Sequence, residues 1–133
     1  MKKILTLIIS IVSIVHVEAQ YKKAYEIFTA EGKKSNFTKL TKKLEKANVL
    51  FFGEIHNDPI AHWLELELVK DLSSQRKLII GTEMFEADQQ KELNLYLEDS
   101  INEKQLAENI TLWSNFNTDY KPLIDFAKGK KYL

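Results

Sequence analysis

Two apolar runs in the sequence are each followed at once by side chains that could do chemistry. Glu54 and His56 follow the run at 48–52, and Glu83 follows the run at 77–80. Carboxylates and imidazole can move a proton at a reacting atom, or ligate an ion such as zinc, iron or manganese. Two carboxylates brought side by side should raise the pKa of one of them, as an acid/base pair or a cation site requires.

The elements around these residues predict a βαβ unit. Each apolar run is typical of a strand buried on both faces. Between the runs, Asp58 predicts a helix cap and Pro59 a first helical position, where a missing N–H costs nothing. The expected fold is therefore α/β, with a parallel sheet and flanking helices. Ligands of open α/β sheets bind beyond the carboxyl ends of the strands, so we expect the carboxylates and His56 to share one crevice.

Four further residues are candidates for the same crevice. His62 lies about one turn into the predicted helix, although a packed histidine is the plainer interpretation. Glu86 either faces the crevice or caps the helix that follows it. Trp113 and Tyr120 belong to an aromatic segment that could wall a flat apolar ligand, and Tyr or His can ligate haem iron. Core packing is the alternative for each ring.

Other local signals predict more helices. Asn36 or Ser35 is a suitable cap for a helix at 37–44, and Asn102 with Gln105 has the spacing of a capping box. A last helix is expected at 120–128, with Gly129 as its C-cap.

Composition excludes several classes of protein. The chain has 133 residues, with 19 Lys and Arg balancing 19 Asp and Glu, so it carries no basic field for a nucleic acid. It has no Cys, which excludes disulfides, thiolate metal sites and a lipid anchor on cysteine. Walker, Gly-x-Gly-x-x-Gly and Gly-x-Ser-x-Gly motifs are also absent from the sequence.

The first nineteen residues have the pattern of a signal peptide. Lys2 and Lys3 precede an apolar run at 4–15, and Val17 and Ala19 suit cleavage before Gln20. We therefore expect an exported protein, periplasmic or secreted, whose mature domain spans 20–133. Because a parallel sheet needs more than two long strands, we expect this domain to be the N-terminal portion of a larger one.

The motifs together resemble a known family, the ChaN-like haem-binding proteins. The resemblance runs from about residue 25 to 131. This family is similar in turn to the wider group that includes the Tiki proteins and the erythromycin esterases. The motifs that carry it are Val49-Leu-Phe-Phe-Gly-Glu-Ile-His56, His62, Gly81-Thr-Glu-Met-Phe-Glu86 with Asp88-Gln-Gln90, and Trp113-x2-Phe116-x3-Tyr120-Lys-Pro122.

The resemblance implies an exported haem-binding protein involved in iron or haem uptake or handling. The haem-binding candidates are then His56, His62, Glu86, Trp113 and Tyr120. The wider group implies an alternative, a metal-dependent hydrolase with a divalent ion. In that alternative Glu54, His56 and Glu83 would be both the metal ligands and the catalytic residues. The expected partner is haem or another small ligand, and a homodimer stays open.

Overall fold

The computed structural model describes residues 22–130, so the predicted signal peptide at 1–19 lies outside the described residues. This part of the chain is mainly helical, and none of its helices is long and apolar enough to cross a membrane. The elements in chain order are β1 (Ile27–Phe28), β2 (Lys34–Ser35), α1 (Phe37–Leu44), α2 (Pro59–Ser73), a 3-10 turn (Ala87–Gln89), α3 (Gln90–Leu97), α4 (Glu103–Asn109), a π-helical turn (Phe116–Tyr120) and α5 (Lys121–Lys130).

A small antiparallel hairpin opens the described chain. In it Ile27 pairs with Ser35 and Phe28 with Lys34. The connecting turn uses Gly32 at φ 73°, a left-handed conformation that glycine adopts without a Cβ penalty. Gly32 therefore suits the turn that joins β1 to β2.

The helices begin where local cap signals predict. The Asn36 side chain accepts a hydrogen bond from a backbone N–H in the first turn of α1. Asp58 Oδ1 accepts from the N–H of Ile60 at 2.9 Å at the start of α2. Asn102 and Gln105 form the predicted capping box, with reciprocal bonds of 3.0 and 2.9 Å. These caps satisfy N–H groups that a helix leaves without partners.

The parallel sheet predicted from the sequence is not formed by the described residues, and only the α/β character of the prediction is supported. Within 22–130, the runs at 48–52 and 77–80 are irregular, and the strands that form belong to the antiparallel hairpin. A parallel sheet needs cover on both faces. Here α2 and both runs line one cavity, and Phe51 and Ile79 are left 94% and 92% exposed.

The hydrophobic core lies between the later helices and the π-helical turn. Helix α2 packs against both the π-helical turn and α5. This packing brings the first half of the chain against the second half. The core cluster consists of Met84, Leu93, Tyr96, Leu106, Phe116, Tyr120 and Ile124.

The π-helical turn is the entry to α5. The N–H of Lys121 donates to the carbonyl of Phe116, five residues earlier, so this turn is one residue wider than an α-helical turn. Phe116 and Tyr120 are both buried by it. Helix α5 then continues to Lys130, so the predicted C-cap at Gly129 is wrong and this glycine lies inside the helix.

Candidate functional site

Glu54 lies at the centre of a cluster of four polar side chains and contacts the other three, His56, His62 and Tyr120. Its Oε1 accepts a hydrogen bond of 2.8 Å from the Tyr120 hydroxyl and lies 3.2 Å from His56 Nδ1. Its Oε2 lies 2.8 Å from His62 Nδ1. We call these four residues the Glu54 cluster. The irregular segment after the first apolar run, helix α2 and the π-helical turn each contribute to it.

His62 is held in the cluster by the backbone of the preceding loop. It is only 4% exposed, and its Nε2 lies 3.1 Å from the carbonyl oxygen of His56. Because a carbonyl oxygen only accepts, this contact assigns the ring proton to Nε2. Nδ1 then has no hydrogen-bond partner among residues 22–130, since its contact with Glu54 Oε2 lacks hydrogen-bond direction.

Two amide and carboxylate side chains connect the His56 loop to the π-helical turn. Asn115 Nδ2 donates to the His56 carbonyl at 2.6 Å and to Asp119 Oδ2 at 2.7 Å. Asp119 Oδ2 also lies 3.9 Å from His62 Nε2. The backbone of His56 is therefore held from both sides, which limits where its ring can point.

Aromatic rings pack around the cluster edge to face. Trp113 lies 4.8 Å from the His56 ring and 5.4 Å from the Tyr120 ring, centroid to centroid. Tyr120 also packs on His62 at 4.5 Å. These spacings are favourable for aromatic pairs. The His56 side chain is nevertheless 53% exposed, so one of its edges faces solvent.

The phenol of Tyr120 is strongly biased towards its neutral form. Burial raises the pKa of Tyr120, and the hydrogen bond to Glu54 and the charge of that carboxylate raise this pKa further. Ionised Tyr120 would lose its bond to Glu54 and face a like charge. The hydroxyl therefore acts as a donor to Glu54 at neutral pH.

Glu65 is a member of the site that sequence reasoning missed. One ligand atom from each of Glu54, His62 and Glu65 lies within 4.8 Å of the others. Burial raises the pKa of Glu65, and the negative charge of Glu54 adds to this effect while His62 opposes it. The signal that could have found Glu65 was its spacing from His62, because residues three apart on a helix share a face.

Asn115 and Asp119 were also missed. Both stand inside the aromatic segment that begins at Trp113 and ends at Tyr120, so the segment was singled out for its rings alone. Polar residues between core aromatics in a tight turn were the signal that could have found them.

A cavity of about 730 Å³ adjoins the cluster and is lined by both apolar runs and by α2. Glu54, Glu65, Glu83 and Tyr120 all contribute to its wall. The structure thus places Glu83 on the same cavity as Glu54, although Glu83 itself is exposed.

Glu86 lies apart from this wall, at the start of the 3-10 turn. Its side chain is exposed, and its backbone N–H donates to Gln89 Oε1 at 3.1 Å. This is the capping position that the sequence offered as an alternative for Glu86.

The described chain is thus of α/β character and carries a carboxylate, imidazole and phenol cluster beside an apolar cavity. The family model described as "Haem-binding uptake, Tiki superfamily, ChaN" matches residues 40–133. The chain belongs to this family, and the resemblance noted from its motifs is confirmed. Neither the curated proteins nor the solved structures give a match.

Proposed function

We propose that this chain is an exported haem-binding protein of iron or haem uptake, with His56 as the ligand to the haem iron. Family membership supports haem as the ligand. The observation that carries the choice of residue is the state of His56. Its ring is half exposed while its Nδ1 is held 3.2 Å from a carboxylate oxygen of Glu54.

This arrangement suits an iron-ligating histidine. Such a histidine donates one ring N–H to a carboxylate and keeps the lone pair of the other nitrogen for the metal. In residues 22–130, Nε2 of His56 makes no hydrogen bond, so it is available. The Glu54 carboxylate would orient the ring and increase the basicity of this nitrogen.

Tyr120 is less suited to be the iron ligand. Iron is ligated by a tyrosinate rather than by a neutral phenol, and both burial and Glu54 oppose ionisation of Tyr120. We assign Tyr120 the role of positioning Glu54. His62, buried against Tyr120, supports the loop that presents His56.

The porphyrin face would contact the apolar surface next to His56. Trp113 packs edge to face on the His56 ring, and the neighbouring Ile55 is 68% exposed. An exposed apolar side chain beside an available imidazole nitrogen fits a flat apolar ligand with a central metal. Glu86 does not adjoin this surface in any contact of the described residues, and its capping position gives it no part in the proposal.

Haem titration tests this proposal. Titration of the full chain with ferric haem should shift the Soret band, and the shift should saturate at one equivalent of haem. His56→Ala should abolish the shift, whereas Asn57→Ala, an exposed neighbour, should bind haem as the wild type does. Tyr120→Phe should retain binding with a modest loss of affinity. Wild-type protein with no shift at micromolar haem would refute the proposal, and full binding by His56→Ala would refute the assigned ligand.

Export is a separate part of the proposal and rests on the signal-peptide pattern at 1–19. Expressed with its own N-terminus in a bacterial host, the protein should be recovered from the periplasm or medium beginning at Gln20. A mature protein that still begins at Met1 would contradict export.

Metal-dependent hydrolysis is a second candidate function. It is supported by the carboxylates of Glu54 and Glu83 on one cavity wall, next to His56. Glu54, His56 and Glu83 would then hold a divalent ion and activate water. A panel of ester and amide substrates with added zinc or manganese should show turnover that is lost in Glu83→Gln. Equal turnover by the variant would remove Glu83 from this role.

A further inference from the structure

We propose that Glu54, His62 and Glu65 form a binding site for a divalent transition-metal ion, separate from the haem iron. The site goes beyond haem binding and does not rest on it, because its ligands are distinct from the available nitrogen of His56. It also differs from the hydrolase candidate, since two of its three ligands come from helix α2. The ligand chemistry, two carboxylates and one imidazole, suits zinc, manganese or ferrous iron rather than calcium or magnesium.

The geometry needs little adjustment to hold an ion. The three ligand atoms lie within 4.8 Å of one another. Ligand atoms bound to one zinc ion at about 2.1 Å lie up to about 4.2 Å apart. Small rotations of the two glutamate side chains would therefore complete the coordination. His62 and Glu65 stand one turn apart on the same face of a fifteen-residue helix, which fixes their spacing.

The buried Nδ1 of His62 is the observation that points to a ligand. Because Nε2 donates to the His56 carbonyl, the neutral ring presents a lone pair at Nδ1. That lone pair lies 2.8 Å from the negatively charged Oε2 of Glu54 and has no hydrogen-bond partner in the described residues. Two electron-rich atoms at this distance repel each other, and a cation between them turns the repulsion into attraction.

The charge balance of the site also favours a dication. The site brings the carboxyl groups of Glu54 and Glu65 to one imidazole. Two carboxylates together match the charge of a divalent ion.

Two of the three ligands are already oriented by outer hydrogen bonds. The Tyr120 hydroxyl donates to Oε1 of Glu54 and leaves Oε2 towards His62. The His56 carbonyl accepts from His62 and fixes its tautomer, the arrangement usual behind metal-bound histidines. Glu54 and Glu65 also line the 730 Å³ cavity, so an ion held by three protein ligands would keep an open position towards it.

Metal titration of the full chain, stripped with chelator and never exposed to haem, tests the site. Calorimetry with zinc should give one tight equivalent, and cobalt should give a visible d–d spectrum of a low-symmetry nitrogen and oxygen site. Glu65→Gln keeps the size of the side chain but removes the charge, and it should weaken binding by at least about 10-fold. Glu54→Gln should do the same.

Glu67→Gln is the matched control on the same helix, because Glu67 pairs with Lys70 at 2.7 Å and lies outside the cluster. It should bind zinc as the wild type does. Circular dichroism of each variant separates loss of a ligand from loss of fold. The proposal would be overturned if folded wild-type protein failed to bind one equivalent of zinc or cobalt in the titration. It would also be overturned if folded Glu65→Gln bound zinc with the affinity of the wild type. Haem titration of the wild type and of Glu65→Gln reports on the haem proposal independently, since Glu65→Gln changes neither His56 nor Glu54, which holds the His56 ring.

Discussion

The Tyr120 hydroxyl donates a 2.8 Å hydrogen bond to Glu54 Oε1, joining residues that stand 66 positions apart in the chain. This bond connects the end of the first apolar run to the entry of α5. Both side chains are largely withdrawn from water, so the bond is made to a charged acceptor in a setting of reduced screening. It is therefore a stabilising contact as well as an orienting one.

Tyr120→Phe should lower the free energy of unfolding by about 1.5–3 kcal/mol, the usual range for a hydrogen bond to a charged group. Urea denaturation measures it. Tyr25→Phe is the matched control, because Tyr25 packs its ring on Trp63 and its hydroxyl makes no hydrogen bond within 22–130. Equal stability of the two variants would show that the Tyr120 bond contributes nothing.

Tyr96 should make stability depend on pH in the alkaline range. Burial, followed by the hydrogen bond to Asp125, raises the pKa of Tyr96 to about 12, whereas an unfolded tyrosine ionises near pH 10. The folded state thus retains a proton that the unfolded state releases. The contribution of this hydroxyl is full below about pH 10 and is lost as pH rises towards 12.

Tyr96→Phe provides the comparison, since it keeps the ring that lies under Lys128. The difference in unfolding free energy between wild type and Tyr96→Phe should be constant from pH 7 to about 9 and should shrink between about 10 and 12. Urea denaturation across this range measures it. A difference that does not change with pH would contradict the raised pKa.

Asp58 should be worth about 1 kcal/mol as the cap of α2. Its Oδ1 accepts from the backbone N–H groups of Ile60 and Ala61, at 2.9 and 3.3 Å. Asp58→Ala removes both bonds, and thermal and urea unfolding should show the loss. Asp58→Asn retains an accepting oxygen and should restore most of it. Wild-type stability in Asp58→Ala would show that the cap is dispensable.

Shortening the side chain to alanine should cost much stability at Leu106 and almost none at Ile79. Leu106 is fully buried in the core cluster, so Leu106→Ala should cost about 2–5 kcal/mol. Ile79 is 92% exposed, and Ile79→Ala should change stability by less than about 0.5 kcal/mol. Paired denaturation curves test both. A large loss in Ile79→Ala would mean that this side chain is covered in solution.

Sequence reasoning was accurate where structure is decided locally. The caps at Asn36, Asp58 and Asn102 depend on side chains and N–H groups two or three residues apart, and each forms as predicted. The parallel strands depend on pairing between distant segments and on cover for both faces, which local sequence does not supply. Gly129 was misjudged because α5 tolerates a glycine near its end.

The candidate site was predicted in part for the same reason. Glu54 and His56 follow an apolar run directly, and the aromatic segment pointed to Tyr120. The relation between Glu54 and Glu65 depends on how α2 packs, and one sequence contains no direct record of that packing. Which residue completes the cluster is decided by tertiary structure.

The wide turn at Phe116–Tyr120 joins the hydrophobic core to the Glu54 cluster within five residues. Its backbone bond closes over five residues, where an α-helical turn closes over four. Phe116 at one end of the turn belongs to the core, and Tyr120 at the other end donates to Glu54. A packing defect at Phe116 would therefore be transmitted to the cluster through a single turn of backbone.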